Sequence, residues 1–252
     1  MPPPCRFEKI ELSNNYFWVS SEGLYGIYNR YGSTIIPCRY EQIELTDRCF
    51  YVCRDRLKGV YNRYGSVIIP CQFSQIECKD NAYYVTKGKY QGIYNLYGSV
   101  IVPTQYTSIY KEGGKYLVEN DSLKGIVNTY GSTVIPCKYN TIEYEDGVYY
   151  VSAGDNGTSI GIDYGSTGST ILPCQYDEII SLGHRYIVKR DKKFGVYNQY
   201  GSTILPCQFQ KIECLNNGHY VTTRDKSQQV YNAYGALLEN RTNMKVVFST
   251  ED

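Results

Sequence analysis

The stretch Gly59-Val60-Tyr61-Asn62-Arg63-Tyr64-Gly65-Ser66-Val67-Ile68-Ile69-Pro70-Cys71 decides the fold. Locally it reads as a β-hairpin. Short apolar runs flank Asn-x-Tyr-Gly, where Asn starts a turn and Gly accepts φ > 0. Proline lacks a ladder donor and is expected to close the second strand. Near-copies run from end to end. The leading glycine recurs as Gly26, Gly92, Gly125, Gly161 and Gly195, with Gln229 in the last copy. The proline recurs as Pro37, Pro103, Pro136, Pro173 and Pro206. Two further series fix the period: Ile10, Ile43, Ile76, Ile109, Ile142, Ile179 and Ile212, and Val19, Val52, Val85, Val118, Val151, Val188 and Val221. Both step by 33 residues, except for one step of 37. Self-similarity at such a period marks a repeat architecture.

Four short strands fit within one period. In the third copy they are predicted at Ser74–Cys78, Ala82–Thr86, Gly92–Asn95 and Ser99–Pro103. Links of about three to five residues suit an antiparallel meander and leave no room for crossover helices. An aromatic residue follows the cysteine position by two in every copy, as Phe7, Tyr40, Phe73, Tyr106, Tyr139, Tyr176 and Phe209. These rings are assigned to packing between repeats, because one repeat alone buries too little to be stable. The fold class is therefore all-β: seven repeats of about 33 residues in one repeat domain, 1–252. Repeat boundaries fall near 4–37, 38–70, 71–103, 104–136, 137–173, 174–206 and 207–240, with a tail at 241–252.

Seven such meanders are expected to close into a seven-bladed, β-propeller-like ring. The link Pro4-Cys5-Arg6-Phe7 precedes the first repeat, while the outgoing link of the seventh, Ala236-Leu237-Leu238-Glu239-Asn240, has lost its Pro and Cys. A ring gives the first a seat where the second is missing. The alternative is an open β-solenoid or superhelix, in which the decayed copy is a polar cap. Met244-Lys245-Val246-Val247-Phe248 reads as one more strand.

Lys and Arg number 26 against 25 Asp and Glu, for a net charge of +1, so neither nucleic acid nor a membrane surface is expected as partner. Tyrosine reaches 29 and alanine only four, a composition that favours strands. No apolar run approaches the roughly 20 residues of a membrane helix. The start lacks a signal-peptide core, which points to the cytoplasm. Of ten cysteines, Cys5, Cys38, Cys71, Cys137, Cys174 and Cys207 follow the repeat proline, and Thr104 takes that place once. Cys-to-Thr exchange suits a small, half-buried position. The thiols are expected to be free and mostly buried, and the sequons at Asn120, Asn156 and Asn240 idle.

At the hairpin the chain is similar to the bacterial WG repeat, whose pattern is roughly W-G-[VI]-I-[DN]-x-x-G-x-x-[VI]-I-P-x-x-[YF]-x-x-[IV]. Gly59, Val60, Asn62, Gly65, Ile68, Ile69, Pro70, Phe73 and Ile76 fall on it. Tyr25, Lys58, Gln91, Lys124, Ile160 and Phe194 stand where the family has its Trp. The resemblance implies a repeat scaffold and supplies no catalytic residues.

Catalysis needs unlike groups converging at one place. His184 and His219 occupy different repeat positions and read as exposed turn residues, so no catalytic residue is nominated. The cysteine spacing assigns no metal, and no cofactor is expected. The Gly-rich stretch from Gly154 to Gly168 lacks the G-K-[ST] of a phosphate loop. Glu11, Glu44, Glu77, Glu143 and Glu213 follow the repeat isoleucine. They read as solvated charges where the first strand ends, the alternative being an acidic lining for a cation or a basic peptide. The turn tyrosines Tyr31, Tyr64, Tyr97, Tyr130, Tyr200 and Tyr234 are the candidate binding residues, together with Tyr164 in the enlarged hairpin of the fifth copy. Tyrosine combines an apolar ring with a polar tip at low entropy cost. The function expected is a non-enzymatic scaffold that binds a protein through a Tyr/Asn/Gly-rich loop face, over the fifth repeat. A lectin-like carbohydrate-binding protein is the alternative.

Overall fold

A computed structural model describes residues 7–225 and 227–241. They form seven four-stranded antiparallel sheets, each a meander in sequence order. The sheets span residues 9–40, 42–73, 75–106, 108–139, 141–176, 178–209 and 211–241. In the third sheet the strands are Gln75–Lys79, Ala82–Lys87, Tyr90–Asn95 and Val100–Tyr106. Two compact units emerge, one of residues 1–121 and 126–133, the other of residues 122–125 and 134–252. The links expected at Pro4–Arg6 and the strand expected at Met244–Phe248 lie outside the described residues.

The four strands fall where the sequence places them, with one correction. Proline does not close the fourth strand. That strand runs on through Pro103 to Tyr106, and in the second sheet from Val67 through Pro70 to Phe73. Bulges absorb the missing donor. In the second sheet Lys58 pairs with Phe73 and Val60 with Ile69, so three residues of the fourth strand, Pro70 to Gln72, face the single Gly59. Each sheet boundary therefore falls just after the aromatic residue.

Glycine is required opposite this bulge. A Cβ on Gly59 would lie 2.9 Å from the Cys71 Sγ, and one on Gly92 would lie 2.4 Å from the Thr104 Oγ1. The small Cys or Thr side chain sits where the glycine has none, which explains why the two exchange. Cys49, Cys53, Cys71, Cys78, Cys174, Cys207 and Cys214 are free, but the described cysteines are not mostly buried as expected. Cys49 alone among them is buried, Cys78 and Cys214 are exposed, and the remainder are half-buried. The bulge holds the repeat cysteine at the margin of the sheet rather than in the core. Burial, with Asp163 nearby, pushes the Cys174 thiol up to about 11, a resting thiol and not a reactive one.

The core lies between consecutive sheets. Ile27, Ile36 and Tyr40 of the first sheet pack on Phe50, Val52 and Tyr61 of the second. Val60, Ile69 and Phe73 then pack on Tyr83 and Val85 of the third. In the other unit Leu172 and Tyr176 meet Tyr186 and Val188, and Leu205 and Phe209 meet Tyr220. Four of the rings that end fourth strands, Tyr40, Phe73, Tyr176 and Phe209, stand edge-on to a tyrosine of the next sheet, as in Phe73–Tyr94 at 5.6 Å and Phe209–Tyr231 at 5.7 Å. Phe7 makes the same contact with Tyr28 at 5.5 Å. The rings thus do the work assigned to them between repeats.

A second contact joins the sheets. The third-turn glycine, held at positive φ, presses on a backbone carbonyl of the preceding sheet. For Gly98, at φ +89°, a Cβ would lie 2.2 Å from the Ile68 oxygen. Gly88 also has positive φ (+60°) but has nothing within 4 Å of its would-be Cβ. Gly88→Ala is expected to cost about 1 kcal/mol of left-handed strain. Gly98→Ala adds overpacking and is expected to cost about 2–5 kcal/mol. Urea unfolding of the two variants checks this, and equal losses would mean that the carbonyl seat contributes nothing.

Candidate protein-binding face

In an antiparallel meander the first and third turns leave the sheet at the same end. Hydrogen bonds tie them together here. Arg63 Nη2 donates to the Thr46 carbonyl (2.9 Å), the Gly165 N–H to the Gly147 carbonyl (3.0 Å), and the Gln199 N–H to the His184 carbonyl (2.9 Å). Neighbouring sheets are joined at this end too. Arg48 Nη1 reaches Asn81 Oδ1 at 3.5 Å, Lys111 lies 3.4 Å from Asp80, and Arg185 Nη1 donates to the Gly218 carbonyl at 3.1 Å. His184 is exposed and His219 partly so, both beside first turns.

The first turns are built for tightness. Asn14 and Asn15, and likewise Asp80 and Asn81, take φ between 52° and 65° in succession. Such paired left-handed residues make the two-residue hairpin whose twist matches that of the strands. The third turns are three-residue loops closed by a positive-φ glycine. In the third sheet the Asn95 N–H donates to the Ser99 carbonyl (2.8 Å) and the Gly98 N–H to the Asn95 carbonyl (3.0 Å). Asn95 Oδ1 then accepts from the N–H groups of Tyr97 and Ser99, both at 2.9 Å. The same pair of bonds recurs at Asn29, Asn62, Asn128, Asn198 and Asn232. One asparagine thus fixes each tip.

The tyrosines at these tips stand in solvent. Tyr64, Tyr97, Tyr130 and Tyr234 are 88–91% exposed, and Tyr31 and Tyr200 are 67% and 68% exposed. Arg30 folds over the Tyr31 ring at 4.8 Å. Tyr164 is different, and its expected place at a tip is corrected. It ends the third strand of the fifth sheet (Ser159–Tyr164), pairs with Val148 and packs half-buried against the core. It occupies the position that asparagine holds in the other copies. The longer loop that follows, Gly165 to Gly168, closes by a Gly168 N–H to Tyr164 carbonyl bond of 2.7 Å and carries no tyrosine. The rest of the insertion forms a short 3-10 turn, Asp155–Gly157, in the second turn, at the other end of the sheet.

One part of the face went unread in the sequence. Val67 and Val100 open the fourth strands of the second and third sheets and are 51% and 52% exposed, close in sequence to Tyr64 and Tyr97. Thr34, Thr133, Thr170 and Thr203 hold the equivalent positions in four other sheets, and Leu237, 48% exposed, holds it in the seventh. That Thr-to-Val exchange at a solvent-facing position was the available signal. Among the described residues no group of three His, Cys, Asp or Glu side chains is placed to hold a metal ion. No helix among them is long and apolar enough to cross a membrane.

Asn95→Ala removes both side-chain bonds and is expected to cost about 1 kcal/mol, since each is worth little net in water. Hydrogen exchange at the Tyr97 and Ser99 amides should speed up relative to the other tips. Unchanged exchange there would show that the backbone alone fixes the tip.

Comparison with known proteins adds to this geometry. Solved structures similar to the chain include Kluyveromyces lactis Hsv2, at 12% identity over 90% of this chain and 94% of that one, with a TM-score of 0.26. PorZ, an essential surface component of the type-IX secretion system of Porphyromonas gingivalis, matches at 7% identity over 95% and 38%, with a TM-score of 0.29. A eukaryotic initiation factor matches at 8% identity over 95% and 89%, with a TM-score of 0.27. No curated protein matches the chain. The family described as WG containing repeat matches at residues 125–156 and 194–224. Two stretches of the chain, one across the fourth and fifth sheets and one across the sixth and seventh, are thus similar to the WG repeat.

Proposed function

We propose that this chain is a non-enzymatic scaffold that binds a protein partner through its tip face, centred on the second and third sheets. The supporting observation is the exposed apolar set Tyr64, Val67, Tyr97 and Val100, carried on hairpins that are already rigid. Aromatic side chains held in place before binding lose little entropy on contact, and buried tyrosines are frequent hot spots. The centre moves from the fifth repeat to these two sheets because Tyr164 is not a tip. The cytoplasm, a reducing compartment, belongs to this reading, which the free thiols of Cys49, Cys53, Cys71, Cys78, Cys174, Cys207 and Cys214 support.

The test is a quadruple variant, Tyr64→Ser, Val67→Thr, Tyr97→Ser and Val100→Thr, beside the control pair Tyr130→Ser and Tyr200→Ser. Tips bury little, so both should keep the wild-type circular dichroism. With the partner that wild-type chain retains at fixed stoichiometry, the quadruple variant should lose at least about 30-fold in affinity, the scale of one hot spot. Equal affinities would place the site elsewhere. Glycan-array binding without any protein partner would replace the scaffold by a lectin.

We further propose that the seven sheets close into a seven-bladed ring. Each sheet within a unit covers its neighbour by the same ring and glycine contacts, and closure would leave no terminal sheet uncovered. Deleting residues 1–12 strips the first strand from such a circle and should unfold the whole chain cooperatively. A soluble truncation with modestly lower stability would indicate an open array.

A further inference from the structure

Away from the tips, a groove runs beside the first strand of several sheets. In the first sheet it holds 260 Å³ by Lys9, Glu11, Trp18 and Tyr25. In the second it holds 550 Å³ by Glu44, Tyr51 and Lys58, and in the third 400 Å³ by Glu77, Tyr84 and Gln91, with Lys58 shared between the two. In the fifth it holds 490 Å³ by Thr141, Glu143, Glu145, Tyr150 and Ile160. The residue that stands in place of the family's Trp, Tyr25, Lys58, Gln91 or Ile160, lines each one.

The repeat glutamates are exposed, as read from the sequence, but their place in the strand is corrected. The first strand does not end at the glutamate. Glu11, Glu77 and Glu143 sit in mid-strand, and Glu11, Glu44, Glu77 and Glu143 pair across to Trp18, Tyr51, Tyr84 and Tyr150. Each carboxylate is thereby held beside an aromatic ring.

The repeats then serve as controls for one another. In the first and seventh sheets the residue two before the glutamate is Lys9 or Lys211, and it forms an ion pair with Glu11 or Glu213. In the second and third sheets Lys58 supplies a cation to the groove. The fifth groove has neither. Thr141 stands at the lysine position of the first and seventh sheets, and Ile160 at that of Lys58. The fifth groove also has a second carboxylate, Glu145, two residues from Glu143 and so on the same side of the strand. Among the described residues no Lys or Arg lines it, and Ser152, Ser181 and Gly157 complete a polar wall.

We propose that the fifth groove takes a basic side chain, arginine or lysine, from an extended segment of a protein partner. Two carboxylates on one side of a strand offer acceptors to a guanidinium or an ammonium group, and Tyr150 offers a ring edge or face beside them. The incoming cation restores what Lys9, Lys58 and Lys211 supply within the chain elsewhere. This site is independent of the tip face.

Fluorescein-labelled hexa-arginine, titrated into the full chain at low salt and followed by anisotropy, tests the proposal. Binding should weaken as salt is raised. Glu143→Gln with Glu145→Gln should lower affinity at least tenfold. Thr141→Lys, which copies the first and seventh repeats and so keeps a residue the fold already accepts, should do the same. Glu77→Gln, in a groove that has its own lysine, should change affinity less than twofold. Absence of binding, equal loss in the Glu77→Gln control, or retained affinity in both fifth-groove variants would overturn the assignment. So would a saccharide that binds this groove while hexa-arginine does not.

Discussion

A four-stranded sheet of some thirty residues has two faces and too little apolar surface to close a core by itself, so the contact between consecutive sheets is the constraint on which the rest depends. That contact has two parts. The fourth strand delivers an aliphatic residue and, beyond its bulge, an aromatic ring onto the second and third strands of the next sheet, as with Ile36 and Tyr40 on Phe50 and Tyr61. The third-turn glycine of the next sheet then rests on a carbonyl of the same fourth strand, as Gly65 does on Ile35. The first part is non-directional and supplies most of the stabilisation. The second is directional and sets where each tip stands relative to the sheet before it.

Burial at this contact shapes the chemistry of its polar groups. Tyr40 and Tyr61 share a hydrogen bond of 2.6 Å between their phenol oxygens, and burial above all pushes the Tyr40 phenol up to about 12. The Tyr176 phenol is likewise pushed up to about 12, again by burial first. In the fifth sheet Asp163 replaces the second tyrosine, and the Tyr139 hydroxyl donates to its Oδ2 at 3.1 Å. Asp163 is 1% exposed, so this bond from a phenol stands in for the phenol pairs Tyr40–Tyr61 and Tyr176–Tyr197. Such groups specify how two sheets register.

The repeat thus separates constant positions from variable ones. Ring, glycine and turn asparagine recur because packing or backbone geometry demands them. The residue opening the fourth strand and the residue before the leading glycine face solvent or a groove, where no packing constraint holds them. Variation at Val67 and Val100, or at Lys58 and Ile160, therefore leaves the fold unchanged and alters the surface alone.

The sequence by itself determined the all-β class, the seven copies, the four strands of each and the hairpin at Asn-x-Tyr-Gly, because period and turn chemistry are local properties of the chain. It also determined that the rings after the cysteines pack between repeats, since no single copy is able to bury them. Tertiary structure alone decided the course of the chain beyond proline. A bulge opposite glycine lets the fourth strand continue, and that depends on what lies across the sheet rather than along it. It alone decided that Tyr164 belongs to the core and not to a tip. The insertion divides between the second and third turns, which shifts Tyr164 onto the asparagine position, and composition does not show where an insertion divides. It alone decided that the residue two before the repeat glutamate, Lys9 or Thr141, reaches the same groove as Glu11 or Glu143.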